Sequence, residues 1–180
     1  MPSSQTALRL LSESGCSKEV IAHCKAVSAL AVKFANSCKN RGLDVDVKLV
    51  EVGSLLHDIG RSKTHNVNHV IVGVEIAESL NLPESIVSII EHHVGGGITA
   101  DEAKELGWPV KDYLPITLEE KIVTYADKLI EGLRVVPIER TLLNLSLDLG
   151  ANHPALARII RLHEELSPLI GDFDADSYSA

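Results

Sequence analysis

The chain has 180 residues, 45% of them hydrophobic and 3% aromatic, with a formal net charge of −8. That length and apolar content support one domain whose core is filled by Leu, Ile, Val and Ala. The acidic balance and the scarcity of aromatic stacking surfaces argue against a nucleic-acid polymer as partner, though not against a small anion drawn to a locally positive site.

No apolar run reaches the roughly 18 residues of a membrane span. The N-terminus Met1-Pro2-Ser3-Ser4-Gln5 lacks the basic and apolar regions of a signal peptide. Cys16, Cys24 and Cys38 show no CxxC spacing. The expectation is reduced thiols in a cytoplasmic protein.

The hydrophobic pattern is helical nearly throughout, so the expected fold class is all-α: a compact bundle of about eight helices over residues 1–170, with a mobile tail at 171–180. A first helix spans about 5–14 and is closed by Gly15. The next runs over about 18–40 with Ser17 as N-cap, and Val20, Cys24, Val27, Ala31, Phe34 and Cys38 form one stripe. His23 lies three after Val20 and four before Val27, on or beside that face. Asp44 is read as the cap of a helix over about 45–59, with Gly60 as a left-handed stop and 61–66 as loop.

A helix from about 66 or 67 to 80 puts His69 in its first turn. Another starts at Pro83, carries Ile86, Ile90, His92 and His93, and stops at Gly95-Gly96-Gly97. Thr99 with Glu102, and Thr117 with Glu120, read as capping boxes; the second opens a helix through about Leu133. Helices over about 138–149 and 154–166 complete the chain as an extension from about residue 134. His153 and His163 read as surface or capping residues.

Six of the eight histidines lie between His23 and His93. Asp127 follows Val123 by four and precedes Ile130 by three, so it shares an apolar face, where an unpaired carboxylate would cost several kcal/mol. His23, His57 with Asp58, His92 or His93, and Asp127 are therefore directed inward, with His69 able to join from a helix start. A mixed imidazole and carboxylate set suits Zn, Fe, Mn or a related divalent metal.

The order His23, His57-Asp58, Asp127 resembles the HD-domain metal-dependent phosphohydrolase superfamily. Leu55-Leu56-His57-Asp58-Ile59-Gly60-Arg61 is similar to the HDIG form, and Tyr125-Ala126-Asp127-Lys128-Leu129 resembles its closing Asp motif. The resemblance covers about residues 17–133 and implies a phosphohydrolase acting on a small substrate, a nucleotide being the first expectation, through two divalent metal ions (Fe, Mn, Zn, Co or Ni). It implies His23, His57, Asp58 and Asp127 as ligands of one metal, with Asp58 bridging to a second held by His69 and His92. Periodicity places His93 nearer the Ile86 and Ile90 stripe, whereas the family pattern favours His92; His93 and His65 stand as alternates.

Asp58 would orient the attacking water. Arg61 would contact phosphate oxygens, with Lys63 and Lys128 as further substrate-binding candidates. The chain lacks the Gly-Tyr-Pro motif of cyclic dinucleotide phosphodiesterases after its paired histidines, and in length and histidine placement it better resembles the HD enzymes that split dinucleoside tetraphosphates. The rival expectations are a di-iron oxygenase of HD type and a non-catalytic HD sensor or scaffold; homo-oligomerisation is left open.

Overall fold

The computed structural model describes residues 1–171; the mobile tail expected at 171–180 lies, Gly171 apart, outside the described residues. Among these the fold is an all-α bundle: α1 (Ser4–Ser14), α2 (Lys18–Asn40), α3 (Val47–Leu56), α4 (His69–Ser79), α5 (Glu84–His92), α6 (Ala100–Glu105), α7 (Leu118–Lys128), α8 (Ile138–Leu149) and α9 (Pro154–Ile170). One two-stranded antiparallel hairpin, β1 (Ile130–Glu131) and β2 (Arg134–Val135), follows α7. No described helix is long and apolar enough to cross a membrane.

The long helix α2 organises the packing. Its apolar stripe splits between two clusters: Cys24 packs with Leu11, Leu55, Leu56 and Ile86, while Val27, Ala31 and Phe34 pack with Ile122, Tyr125, Ile159 and Leu166. All three cysteines are buried as free thiols. The extension is part of the second cluster, since Ile138 of α8 and Ile159, Leu162 and Leu166 of α9 lie in it.

Ser17 caps α2 by accepting from the Val20 amide, and Thr99 with Glu102 forms the full capping box at α6. Five local expectations need correction. Asp46, not Asp44, caps α3, accepting from the Lys48 and Leu49 amides. Thr117 caps α7, but Glu120 does not return the box; its carboxylate accepts from the Ile116 amide and meets His92. Helix α7 stops at Lys128 instead of running to Leu133, because Gly132 at φ 63° turns the chain into the hairpin. The helix expected over about 45–59 ends at Leu56, before His57, and the chain continues as a 3₁₀ turn over Ile59–Ser62.

Gly60 is not a left-handed stop, being absent from the positive-φ glycines. It is a point of close approach: a Cβ there would overlap the His69 carbonyl oxygen, with the Gly73 amide 2.6 Å away. Gly73 is equally constrained, its virtual Cβ lying 2.8 Å from Ile90 Cγ2. The missing side chains let α4 settle directly on the 3₁₀ turn and against α5, bringing His69 to Asp58.

Candidate metal centre

Three histidine rings are oriented by one local device. His57 and His93 are the C-cap residues of α3 and α5, where last-turn carbonyls lack intrahelical partners. His57 Nδ1 donates to the Ser54 carbonyl at 2.6 Å and His93 Nδ1 to the Ile90 carbonyl at 2.8 Å. His69, at the start of α4, does the same to Asn66 at 2.8 Å. A carbonyl only accepts, so Nδ1 carries the proton in each ring and the Nε2 lone pair is free.

These lone pairs converge on Asp58. Asp58 Oδ2 lies 3.6 Å from His57 Nε2 and 3.8 Å from His23 Nε2. The other oxygen, Oδ1, lies 3.1 Å from His69 Nε2 and 3.5 Å from His93 Nε2. Asp127, from the last turn of α7, closes the first side: its Oδ1 is 3.0 Å from His23 Nε2 and 3.5 Å from His57 Nε2. Two groups of donor atoms result, His23–His57–Asp58 and Asp58–His69–His93.

This donor set fits divalent cations. His57 Nε2 and Asp58 Oδ1 are buried without a hydrogen-bond partner, a costly state unless something positive serves them. The Nε2 atoms of His69 and His93 face one another at 3.1 Å, two acceptors in contact when Nδ1 holds each proton. Borderline nitrogen donors with hard carboxylate oxygens match Fe, Mn, Zn, Co or Ni.

The electrostatics agree. Burial pushes the His93 ring down to about 4, against the pull of Asp58, so it is neutral and able to ligate. Burial would raise the Asp58 carboxyl, but the surrounding imidazoles, the His57 charge first, outweigh it and hold it well below the usual range. Asp127 is likewise held low against burial by Lys128, His23 and His57. For His57, burial opposes the charged form, yet Asp58 and Asp127 win and raise its pKa. A metal would therefore compete with a proton for that lone pair.

His92 is not among these donors. It points the other way: its Nδ1 is 3.0 Å from Glu120 Oε2 and its Nε2 3.4 Å from Glu91 Oε2. Burial alone would lower its pKa, but the two carboxylates raise it to about 9, so it is an imidazolium clamp between α5 and α7. Adjacent helical residues point about 100° apart, so only one of the pair can face the cluster. Glu91 carries no motif in the sequence and Glu120 reads there only as a capping-box partner, since nothing ties it to a residue 28 positions earlier.

Arg61 Nε donates to Asp58 Oδ2 at 2.6 Å, and Lys128 Nζ to Asp127 Oδ2 at 2.6 Å. Two cavities flank the donors. One, about 430 Å³, is lined by His23, Asp58, Arg61 and the exposed His65; the other, about 260 Å³, by His23, Asp127, Arg61, Lys128, Thr141 and Asn144. His65 belongs to neither donor group; its carbonyl accepts from Arg61. Lys63 is exposed and lines neither cavity. Thr141 and Asn144 carried no motif and come to the site only through the turn at Gly132.

Comparison with known proteins follows the same outline. A family model described as HD domain matches residues 20–132. An uncharacterized protein of Methanocaldococcus jannaschii is 52% identical over 155 residues, covering 86% of this chain and 92% of its own length. The tRNA (cytidine(56)-2'-O)-methyltransferase of Picrophilus torridus is 40% identical over 174 residues, covering 95% of this chain; the chain spans only 48% of that enzyme. Among solved structures, the HD domain of phosphodiesterase PgpH from L. monocytogenes, in complex with cyclic-di-AMP, superposes with a TM-score of 0.54 at 20% identity, covering 94% of this chain and 99% of that one. At that identity the likeness is one of fold.

Proposed function

Since the chain belongs to the HD-domain family, we propose that it is a metal-dependent phosphohydrolase, adding water across a P–O bond of a small ester or anhydride to leave a phosphate and an alcohol or second phosphate. One observation carries this reading: the two oxygens of Asp58 face two separate groups of imidazole nitrogens, Oδ2 toward His57 and His23, Oδ1 toward His69 and His93. His23, His57, Asp58 and Asp127 would hold one cation, and Asp58, His69 and His93 a second. When bound, such a pair supplies Lewis-acid stabilisation of phosphoryl oxygens and makes water more acidic.

The chain's own residues account for the rest. Asp58 remains ionised and offers an oxygen to orient the attacking water. Arg61 and Lys128, now paired with Asp58 and Asp127, present cations to the phosphoryl group at the cavity walls. With the cations bound, the local charge would turn positive and let a chain of net charge −8 accept an anion. A small nucleotide is the first substrate class to test, since the similar PgpH HD domain is solved in complex with cyclic-di-AMP, and the three reduced thiols suit a cytoplasmic setting.

The test is a panel of phosphomonoesters, cyclic and linear dinucleotides, nucleotide anhydrides and short RNA, run with Mn, Fe, Co, Ni and Zn beside Asp58→Ala. Metal-dependent turnover lost in the variant is expected; equal activity in the two proteins would sink the hydrolase reading. A coloured iron centre consuming oxygen would favour the oxygenase instead.

A further inference from the structure

Beside the donor cluster lies a third cavity of different character. It holds about 610 Å³ and is walled by Val67, Val94, Ile98, Leu106, Leu145 and Leu149. The charged groups on it are Lys128, Glu102 and Glu105, with His153 also at its wall. Lys128 and Leu145 also line the 260 Å³ cavity that contains His23, Asp127 and Arg61. The two chambers therefore meet at Lys128 and Leu145, and the lysine ammonium sits 2.6 Å from Asp127 Oδ2.

The roof over this junction is α8. It gives Thr141, Asn144 and Leu145 to the polar chamber, and Leu145 and Leu149 to the apolar one. Its helical stripe is thus divided lengthwise between two chemistries. Ile138 is the one buried residue of this helix, and Leu142 and Leu145 pack against the core only in part, so much of α8 covers a space.

We infer that the apolar chamber is the subsite for the organic group of the substrate, and that this group is uncharged and mainly apolar, attached to a single phosphate. This rests on the hydrolase reading and narrows its substrate class. A phosphate lodged against Arg61 and Lys128 would place its ester oxygen toward Leu145, and an aromatic or aliphatic group continuing from it enters the chamber and leaves water. At the far side, Glu102 is fixed as a carboxylate by Arg158 Nη2 at 2.9 Å and by Thr99. With Glu105 it repels a second anionic group. Polyphosphates and sugar phosphates fit this arrangement poorly, the first through charge and the second through unpaired hydroxyls.

The test uses the metal-loaded full chain with 1-naphthyl phosphate and glycerol 1-phosphate as paired substrates. Wild type is expected to show a KM at least roughly 10-fold lower for the naphthyl ester. Leu149→Glu, at a position already partly open to solvent, should collapse that ratio toward one; Leu149→Ala should lower it by roughly 3-fold and guards against a folding defect in the first variant. Hydrolysis of both esters with equal KM, or a ratio that neither variant changes, overturns the subsite and leaves the hydrolase reading standing. If neither ester is hydrolysed, the hydrolase reading is decided by its own substrate panel, and naphthyl fluorescence decides the chamber: saturable binding weakened by Leu149→Glu upholds it, and no binding refutes it.

Discussion

The two donor groups share Asp58 but differ in their contact with solvent. The His23 and Asp127 side chains are 24% and 11% exposed, whereas those of His69 and His93 are 2% exposed. The outer group borders two cavities and is flanked by Arg61 and Lys128. The inner group lies beneath it, walled by α4 and α5. If each group holds a cation, the difference would separate two duties: an outer position where substrate and water exchange, and an inner position that fixes the geometry of the shared carboxylate. On this view an outer cation would be labile and an inner one close to a structural element.

The severest way to break the contrast is to remove what the groups share. Asp58→Ala should lose both cations, measured as metal content per chain, with kcat falling on the order of 10³-fold or more. Retention of one full equivalent would show that Asp58 does not link the groups. Next comes the adjacent histidine pair. His93→Ala is expected to bind one metal fewer, while His92→Ala keeps the full complement; the opposite result would invalidate the geometric assignment. Chelation sharpens the comparison by rate, since EDTA should strip the outer cation well before the inner one, and simultaneous loss would mean that burial does not govern exchange.

Gly60→Ala tests the backbone contact that brings His69 in. The added methyl must displace the first turn of α4, so a loss of about 2–3 kcal/mol in chemical denaturation is expected, with inner-site affinity falling more than outer. The smallest effect concerns His92. Its pKa rises from 6.5 to about 9 on folding, so its contribution is full below the unfolded value and is lost as pH rises through about 9. Metal-free protein should therefore lose up to about 2 kcal/mol between those limits, with solvent screening allowed for, and His92→Gln should flatten that part of the profile. An unchanged slope in the variant would remove the imidazolium clamp.

Much of this architecture is legible in the chain because it is encoded by local rules. The α2 stripe, the Ser17 and Thr99 caps, and the inward placement of His23 and Asp127 all follow from periodicity within single helices. Periodicity also put His93, rather than His92, nearer the Ile86 and Ile90 stripe, and the geometry agrees with that against the family pattern. The misreadings arose where a tertiary contact decided the outcome. Asp44 and Asp46 are equally good caps by type, and at the second the backbone amide also donates to Glu119 at the start of α7, which ties the entry of α3 there. Gly60 reads as a helix stop until its neighbour in space, the His69 carbonyl, is known. Ile130 continues the α7 stripe in sequence and is buried, yet it belongs to a strand, since burial alone does not distinguish one more helical turn from a tight hairpin.

The three tethers from His57, His69 and His93 all end on the carbonyl three residues earlier. Peptide carbonyls are present whatever side chains occupy positions 54, 66 and 90, so no ordinary substitution there deletes the acceptor. The outer layer of the centre is thus independent of residue identity. The rings are also aimed as soon as each local turn forms, so cation binding meets imidazoles with little rotational freedom left to lose. Drift in the surrounding sequence can reshape the chambers and their specificity while the aim of the donors persists.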